Sequence, residues 1–417
     1  MTTPTLDADP ACPEAAEAAV PSAAPTLARS TDHVEPAEPP PTLRARQVSF
    51  DDVDRAVWDD LVRRSPAATP FSRWAFHRAW WDAYGASAHD ETLIVERAEA
   101  GMASAPVAIV PLMHRHEVEP SDEDTRSTIR HGQESRLTPV SPTAKAVFFG
   151  ASYHCDYATL LAAPEDVAAV ARAVADYLST PAGTPASRQI PWDVVDLRRL
   201  RCADPAADAL MTALIDVGDR RDWRVVREQE DVCPVVALPR GADFQGYLEM
   251  LGKKTRHEIR RKIRRAEAIG PVEMTESRDP VADLAGFIDL HQKRWGDAGL
   301  FPPTAGGEAS RTFICRLFEA FGPDGPARLS FLSVGGRRVA AGIHLDDGRT
   351  ISYYNAGIDP DARELSPGIL MVAGYVRRAL DLGRERLDFL RGNEPYKYEW
   401  GAKDEPIQRI LVCREGL

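Results

Sequence analysis

The sequence predicts an α/β protein of mixed α+β type, arranged as two consecutive halves of similar size. Apolar runs with strand-like alternation are interspersed with runs of helical periodicity. The chain has 417 residues, 44% of them hydrophobic. This length exceeds that of a typical domain, which has roughly 100–200 residues. We therefore expect a tail at 1–41, a first domain at 42–240 and a second domain at 241–417.

The tail is rich in alanine, proline and acidic residues. It contains nine prolines, and its seven Asp or Glu stand against a single arginine. A segment of this kind cannot bury enough apolar surface to offset the entropy lost on ordering. We predict that 1–41 is disordered and that it supplies half of the net charge of −12.

The first half is predicted to alternate between helices and strands. Its polar stretch at 120–135 has the composition of a loop insertion. The predicted helices lie at 58–62, 71–84, 165–178 and 206–214. The predicted strands lie at 92–96, 107–113, 146–149, 194–197, 224–227 and 235–238.

The second half repeats this alternation around a three-stranded meander. Gly335-Gly336 and Asp347-Gly348 lie between its strands and are typical of tight hairpin turns. A long helix at 367–382 should begin after an N-cap at Ser366. The other predicted helices lie at 244–251, 281–295 and 310–321, and the strands at 327–334, 339–346, 350–357, 386–390 and 407–413.

A strongly basic helix is predicted directly after residue 252. Eight of the thirteen residues at 253–265 are Lys or Arg, while Ile259 and Ile263 fall on one face. Arg256 and Arg260 on the polar face are candidate substrate-binding residues, because guanidinium groups suit phosphate and carboxylate oxygens. The alternatives are the phosphates of coenzyme A, a nucleotide-linked substrate, an RNA, or a solvated face paired with acidic residues.

The start of the long helix is a candidate anion site. The first turn of a helix has unpaired N–H groups and a positive dipole end, where a pyrophosphate can bind. Gly368 leaves room for a ligand, and Arg363 could neutralise its charge. Arg363, Ser366 and Gly368 are therefore candidate donor-binding residues, although an ordinary capped helix would have the same sequence.

Ionisable and aromatic residues crowd the segment at 388–400. Asp388 ends a strand and is followed by Glu394, Tyr396 and Lys397. A carboxylate can take a proton from an attacking amine, while Tyr or Lys can stabilise an oxyanion or protonate a leaving thiolate. We regard these four residues as candidate catalytic groups, with a salt-bridged surface loop as the alternative. Tyr354 and Asn355 on a neighbouring strand are candidate substrate contacts.

Several classes of function are disfavoured by composition. A net charge of −12 is untypical of a general DNA- or membrane-binding protein. No run reaches the ~18 apolar residues of a membrane helix, and prolines interrupt the N-terminus where a signal peptide would lie. The six cysteines are scattered and fit neither a disulfide framework nor a metal site. We expect a cytoplasmic protein that binds no metal.

Taken together, these segments resemble the GNAT-related acyltransferases of the CelD/BcsL type, which are similar in turn to the Fem-type peptidyltransferases. The resemblance extends over about 45–415. Its motifs in the first half are Trp58…Leu61, Pro70-Phe71…Trp74…Trp80, Pro111-Leu112 and Gly150…Asp156-Tyr157…Leu160-Leu161. In the second half they are Lys254-x-Arg256-x-x-Ile259-Arg260-Arg261, Arg337-x-Val339-Ala340-Ala341, Tyr353-Tyr354-x-x-Gly357, Ser366-Pro367-Gly368 and Gly383-x-x-x-Leu387-Asp388-Phe389-x-x-Gly392-x-x-x-Tyr396-Lys397.

The resemblance implies two tandem GNAT-like subdomains, each a mixed sheet flanked by helices. It also implies acyl transfer from acyl-coenzyme A, such as acetyl-coenzyme A, to an amine or hydroxyl of a small-molecule, saccharide or peptide acceptor. The GNAT phosphate signature is Arg/Gln-x-x-Gly-x-Gly/Ala, and here Arg363-x-x-Ser366-x-Gly368 has serine at the central glycine. Two alternatives stay open: an aminoacyl-tRNA-dependent peptidyltransferase acting on a cell-wall precursor, and a degenerate, non-catalytic binding module.

Overall fold

The computed structural model describes residues 43–97, 106–115, 137–141, 144–181 and 191–414. The predicted tail at 1–41 and the predicted loop insertion at 120–135 lie outside the described residues. The described residues belong to one compact unit.

The first half contains nine strands and four helices among its described residues. The strands are β1 (Leu43–Gln47), β2 (His89–Asp90), β3 (Leu93–Arg97), β4 (Ala108–Val110), β5 (Leu112–Arg115), β6 (Ala146–Phe149), β7 (Leu161–Ala162), β8 (Val194–Arg201) and β9 (Trp223–Ala237). The helices are α1 (Arg55–Arg64), α2 (Trp74–Tyr84), α3 (Val167–Ser179) and α4 (Pro205–Gly218).

The second half continues with helices before its meander. The helices are α5 (Phe244–Met250), α6 (Lys253–Glu267), α7 (Pro280–Trp295), α8 (Ala305–Phe321), α9 (Pro367–Asp381) and α10 (Pro395–Tyr398). The strands are β10 (Val272–Glu276), β11 (Ala327–Val334), β12 (Arg337–Asp346), β13 (Thr350–Ile358), β14 (Arg386–Asp388) and β15 (Lys403–Arg414).

Two sheets organise these elements in the described part of the chain. The larger has 11 strands in the order β10-β11-β12-β13-β14-β9-β15-β8-β6-β5-β2, and the smaller has four in the order β1-β3-β4-β7. Strand β9 pairs with β14 and with β15, and β15 also pairs with β8. The last strand of each half therefore lies between strands of the other half, which ties the two halves into one sheet.

Helices cover both faces of the large sheet and enclose separate apolar cores. Helices α3 and α4 cover one core of the first half, and α5, α6 and α9 cover one core of the second. On the opposite face α2 packs against α8, with Phe76 and Phe313 edge to face at 5.4 Å between ring centroids. This contact joins the two halves on the face that carries the candidate site.

The structure confirms the mixed α/β class and most predicted elements, and it corrects three details. The predicted strand at 107–113 is broken at Pro111 into β4 and β5, which lie in different sheets, since proline has no N–H to donate to a ladder. The two strands predicted at 224–227 and 235–238 are one 15-residue strand, β9. Strand β10 was not predicted. The Gly335-Gly336 turn is confirmed, with φ of 56° and 81°.

Candidate functional site

The candidate site begins where two parallel strands diverge. Strands β13 and β14 are paired only as far as Ser352 and Asp388. Beyond that point β13 continues along β12 to Ile358. The chain after Asp388 instead follows β9, where the N–H of Phe389 donates to the Pro234 carbonyl at 3.0 Å. The divergence leaves a gap in the sheet.

A cavity of about 330 Å³ occupies this gap. Its walls come from both halves of the chain and include predicted and unpredicted residues. From the second half they are His291, Arg294, Trp295, Leu300, Tyr353, Tyr354, Asn355, Ala356, Phe389, Leu390, Arg391, Glu394, Tyr396 and Lys397, and from the first half Tyr153, His154 and Asp156.

Lys397 lines the cavity, but its ammonium group is hydrogen-bonded within its own loop. It is 2% exposed, and its Nζ donates to the carbonyls of Leu390, Arg391 and Gly392 at 3.1, 2.9 and 2.8 Å. The Glu394 carboxylate lies 2.8 Å from the same nitrogen. Because an ammonium group has three donors, this lysine stabilises the turn at 390–392.

Tyr396 is the predicted residue best placed to donate a proton into the cavity. Its ring packs edge to face on Phe389 at 5.9 Å, and its hydroxyl has no hydrogen-bond partner among the described residues. Burial, followed by the nearby Tyr353 and Glu394, raises the pKa of Tyr396 far above its usual range. The phenol is therefore protonated at neutral pH.

Asp388 does not line the cavity that contains Glu394, Tyr396 and Lys397. It is 4% exposed, and its carboxylate accepts hydrogen bonds from the Tyr157 hydroxyl at 2.8 Å and the Leu390 N–H at 2.7 Å. Burial raises the pKa of Asp388 to about 6, although both hydrogen bonds oppose this effect. The structure thus places Asp388 apart from the other three predicted catalytic groups.

The predicted substrate contacts on β13 do line the cavity. The Tyr354 hydroxyl donates to the His154 carbonyl at 2.9 Å, which fixes this ring against the first half. The Asn355 side-chain oxygen accepts from the Ala356 N–H at 3.0 Å. The amide group of Asn355 therefore keeps its N–H donors for a ligand.

Residues of the first half contribute a wall that we did not predict. His154 is stacked on Phe313 at 4.1 Å between ring centroids, its Nε2 lies 2.8 Å from the Tyr84 hydroxyl, and burial lowers its pKa to about 3. Asp156 forms an ion pair with Arg391, with 3.2 Å between the carboxylate and Nε. The Gly150…Asp156-Tyr157 motif identified this segment as part of the family resemblance. Nothing in the motif indicated that the segment lies beside the second half.

The N-terminus of α9 follows directly from β13. Ser366 holds the predicted N-cap position, in a left-handed conformation with φ of 54°, and its side chain makes no capping hydrogen bond. Its Oγ accepts instead from Arg265 Nη2 at 2.9 Å. The backbone N–H of Gly368 has no partner among the described residues, and the side chain of Arg363 is exposed.

Arg256 and Arg260 lie away from the cavity and are paired within their own helical hairpin. The Glu249 carboxylate is 2.9 Å from Arg256 and 2.6 Å from Arg260. Glu258 similarly pairs with Arg261 and Lys262. Of the alternatives for the basic helix, intramolecular pairing is the one that the structure displays for these four side chains.

Two further observations concern metals and membranes. Across the described ranges, His, Cys, Asp and Glu side chains do not gather in groups of three that could hold a metal ion. In that same part of the chain, no helix has the length and apolar character needed to cross a bilayer.

Comparisons with known proteins give one family-model match and several similar solved structures. Residues 253–398 match the family model described as acetyltransferase (GNAT) domain. Among solved structures, FemX aligns with a TM-score of 0.49 and 10% identity over 88% of this chain and 96% of its own. A tandem GNAT protein from the clavulanic acid biosynthesis pathway aligns with a TM-score of 0.45 and 10% identity, over 90% and 99%. A conserved protein of unknown function from Bacteroides thetaiotaomicron has a TM-score of 0.47 and 12% identity, over 87% and 98%. No curated protein matches.

Proposed function

We propose that this chain, which belongs to the GNAT superfamily, transfers an acyl group from an acyl-coenzyme A such as acetyl-coenzyme A to an amine or hydroxyl of a small-molecule or saccharide-type acceptor. Its halves are two GNAT-like subdomains, which we divide at 240/241. The observation that carries the proposal is the divergence of β13 from β14. The divergence opens a cavity beside β13, the strand that leads into α9. The segment from β13 to α9 therefore connects the cavity to the N-terminus of a helix.

The residues at the start of α9 fit the phosphates of such a donor. Gly368 has a free N–H at the positive end of the helix, and a side chain there would meet Ile358 at 3.3 Å. Arg265 reaches this turn from α6 through its bond to Ser366, and Arg363 is exposed next to it. Serine at the central signature position is accommodated because it adopts the left-handed conformation itself.

We assign the proton transfers to two residues that line the cavity. The thioester supplies an activated acyl group and a thiolate leaving group. Tyr396 protonates the thiolate, since its hydroxyl is protonated and unpartnered. Glu394 accepts the proton of the attacking nucleophile and replaces Asp388 in this role, because Asp388 does not face the cavity. Lys397 is a positioning residue that fixes the turn at 390–392 and orients Glu394.

The test compares Tyr396→Phe with Tyr398→Phe. Tyr398 is on the same short helix, but its hydroxyl donates to Asp404 at 2.7 Å and it does not line the cavity. With acetyl-coenzyme A and a panel of amine and hydroxyl acceptors, we expect Tyr396→Phe to lower kcat by about 10²-fold with an unchanged KM for the donor. Tyr398→Phe should retain the wild-type rate.

Other outcomes would select against the proposal. Wild-type turnover in Tyr396→Phe would remove this residue from the mechanism. Failure of acetyl-coenzyme A to bind, measured by calorimetry, would favour the non-catalytic module. Binding of tRNA with a steep salt dependence would favour the aminoacyl-tRNA alternative, although four basic side chains of α6 are already paired with Glu249 and Glu258.

A further inference from the structure

A second cavity of about 390 Å³ lies on the same face of the large sheet. It is enclosed by the segment at 62–73, by the start of β13 and by β14, and it shares no lining residue with the first cavity. Phe71 packs against both Tyr157, which lines the second cavity, and Tyr354, which lines the first, at 6.1 and 5.7 Å between ring centroids. The two cavities are therefore distinct.

The second cavity is strongly cationic. Its ionisable lining consists of Arg63, Arg73, Arg201, Arg349 and Arg386 against Asp347 and Asp388. Such an excess of positive charge is unusual in a protein whose net charge is −12. Guanidinium groups lining a concave site are suited to anionic oxygens, which they can bind in a bidentate manner.

The two aspartates of the lining are hydrogen-bonded to groups other than these arginines. Asp388 accepts from the Tyr157 hydroxyl and the Leu390 N–H. Asp347 accepts from the backbone N–H groups of Arg349 and Thr350 at 2.8 and 2.7 Å. Within the described residues, no ion pair joins either aspartate to an arginine of the lining.

Three of the arginines are paired with acids that lie outside the cavity lining. Arg63 pairs with Asp60 at 2.9 Å. Arg349 pairs with Glu385 at 2.7 Å, and Arg386 with Glu405 at 2.6 Å. Each guanidinium has five N–H donors, so these pairs leave donors for a ligand.

The other two arginines have no acidic partner in the described part of the chain. Arg201 donates to the Ala67 carbonyl, and its guanidinium lies over the Tyr157 ring at 5.2 Å, which fixes its orientation. The side chain of Arg73 makes no hydrogen bond or ion pair with any described residue. Thr69 adds a buried hydroxyl oxygen that likewise lacks a partner there.

We infer that this cavity binds a small molecule through a phosphate or carboxylate group, contacted by Arg73, Arg201 and the Thr69 hydroxyl. Its volume of about 390 Å³ falls within the range of small-ligand sites. A bound oxyanion would receive charge-assisted hydrogen bonds from both guanidinium groups and one hydrogen bond from the hydroxyl. The site is separate from the proposed donor site at α9, where the cation is Arg265.

The test is calorimetric titration of the full chain with inorganic phosphate and, separately, with succinate, against chloride at matched ionic strength. We expect Arg73→Gln to weaken binding of the preferred anion about tenfold, the loss of roughly one charge-assisted hydrogen bond. Arg73 is exposed, so this variant should fold, which circular dichroism would verify. Preference for phosphate or for succinate identifies the anionic group.

Two control variants locate the binding event. Arg316→Gln removes an exposed guanidinium on α8, paired with Glu319 at 2.6 Å, and should bind like the wild type. Arg265→Gln removes the cation at the donor site and should also retain binding. The inference is overturned if neither anion binds, if chloride gives the same signal, if Arg73→Gln binds like the wild type, or if only Arg265→Gln loses binding.

Discussion

Two aspartates at equivalent positions in the two halves have opposite environments. Asp196 is the last residue of β8 paired with β6, and Asp388 is the last residue of β14 paired with β13, each across a parallel pair. Arg409 binds the Asp196 carboxylate in bidentate fashion at 2.7 and 2.8 Å, and Arg198 lies 3.0 Å away. Asp388 has a phenol and a backbone N–H as its hydrogen-bonding partners. At equivalent positions of the two halves, the Asp196 carboxylate is therefore paired with arginines, whereas the Asp388 carboxylate has a raised pKa and takes up a proton more readily.

The gap beyond the parallel pair also differs between the halves. In the first half the segment at 150–160 leaves β6 and runs back to β8, where Ala158 forms a bridge with Leu200. All residues of this segment except Asp156 and Ala158 are buried. In the second half the corresponding gap is the candidate cavity. The segment at 150–160 thus fills the gap of the first half, and three of its residues, Tyr153, His154 and Asp156, line the cavity of the second half.

The helices that follow these strands complete the comparison. Helix α3 begins after Asp166, which lies 3.7 Å from Arg97. Helix α9 begins after Ser366, which accepts a hydrogen bond from Arg265. An acidic residue at a helix N-terminus occupies the place that an anionic ligand would take. The acidic start of α3 is therefore unsuited to an anionic ligand, whereas the start of α9 is compatible with the proposed donor site.

The largest effect is expected from Asp196→Asn. Burial opposes ionisation of Asp196, but Arg198 and Arg409 outweigh it and hold the pKa below its usual value. The substitution removes the bidentate carboxylate partner of Arg409, which is 1% exposed, and leaves it the Glu228 carboxylate, at 3.1 Å, as its only acidic partner among the described residues. We expect the free energy of unfolding in urea to fall by about 3–5 kcal/mol. The control Asp60→Asn, at an exposed pair with Arg63, should cost less than about 1 kcal/mol.

The next effect is expected from Lys397→Met. It removes the ammonium group shared by Glu394 and three carbonyls, two of them in buried hydrogen bonds, so we expect a loss of about 3 kcal/mol of unfolding free energy. Chemical denaturation measures this loss directly. Unchanged stability combined with lost turnover would contradict the positioning role. It would favour the catalytic role that the sequence predicted for Lys397.

Asp388→Asn should have a smaller effect that depends on pH. Because burial raises the pKa of Asp388 to about 6, the native state binds a proton that the unfolded state releases between about pH 4 and 6. The stability contributed by Asp388 therefore falls as pH rises through this window. Relative to wild type, we expect the variant to gain about 2–3 kcal/mol between pH 4 and pH 8. Unfolding curves at both pH values test this.

The sign of that pH dependence separates the two aspartates. Because the pKa of Asp196 is lowered, its contribution is present above the unfolded pKa of about 4 and is lost as pH falls. Asp196→Asn should therefore lose stability relative to wild type as pH rises towards about 4, and this interval lies below the pH 4–6 interval in which Asp388→Asn gains stability. Parallel curves for the two variants would contradict the assignment of the two environments.

The smallest effect is expected from Ser366→Asp, which gives α9 the acidic start that α3 has. A carboxylate beside the donor phosphates should raise the KM for acetyl-coenzyme A about tenfold, or about 1.4 kcal/mol, with little change in kcat. The reverse change in the first half, Asp166→Ser, should leave both constants unchanged. An unaltered KM in Ser366→Asp would place the phosphates elsewhere.

Local signals predicted the elements that depend on local chemistry. The Gly335-Gly336 turn and the start of α9 at Pro367 follow from backbone preferences of the residues themselves. The clustering of Glu394, Tyr396 and Lys397 also follows from sequence, because the three residues lie within one turn. The role of Lys397 did not follow, since its three carbonyl partners become acceptors only when the turn at 390–392 folds.

The amino-acid sequence was sufficient to predict the mixed α/β class, most of the helices and strands, and the family resemblance, because these depend on periodicity, turn chemistry and short motifs. Only the folded chain shows that β9 and β15 interleave, that Asp388 faces Tyr157 across 231 positions in the chain, and that Tyr153, His154 and Asp156 line the other half's cavity. Such contacts arise from long-range pairing within one sheet, and no local preference of either partner specifies them.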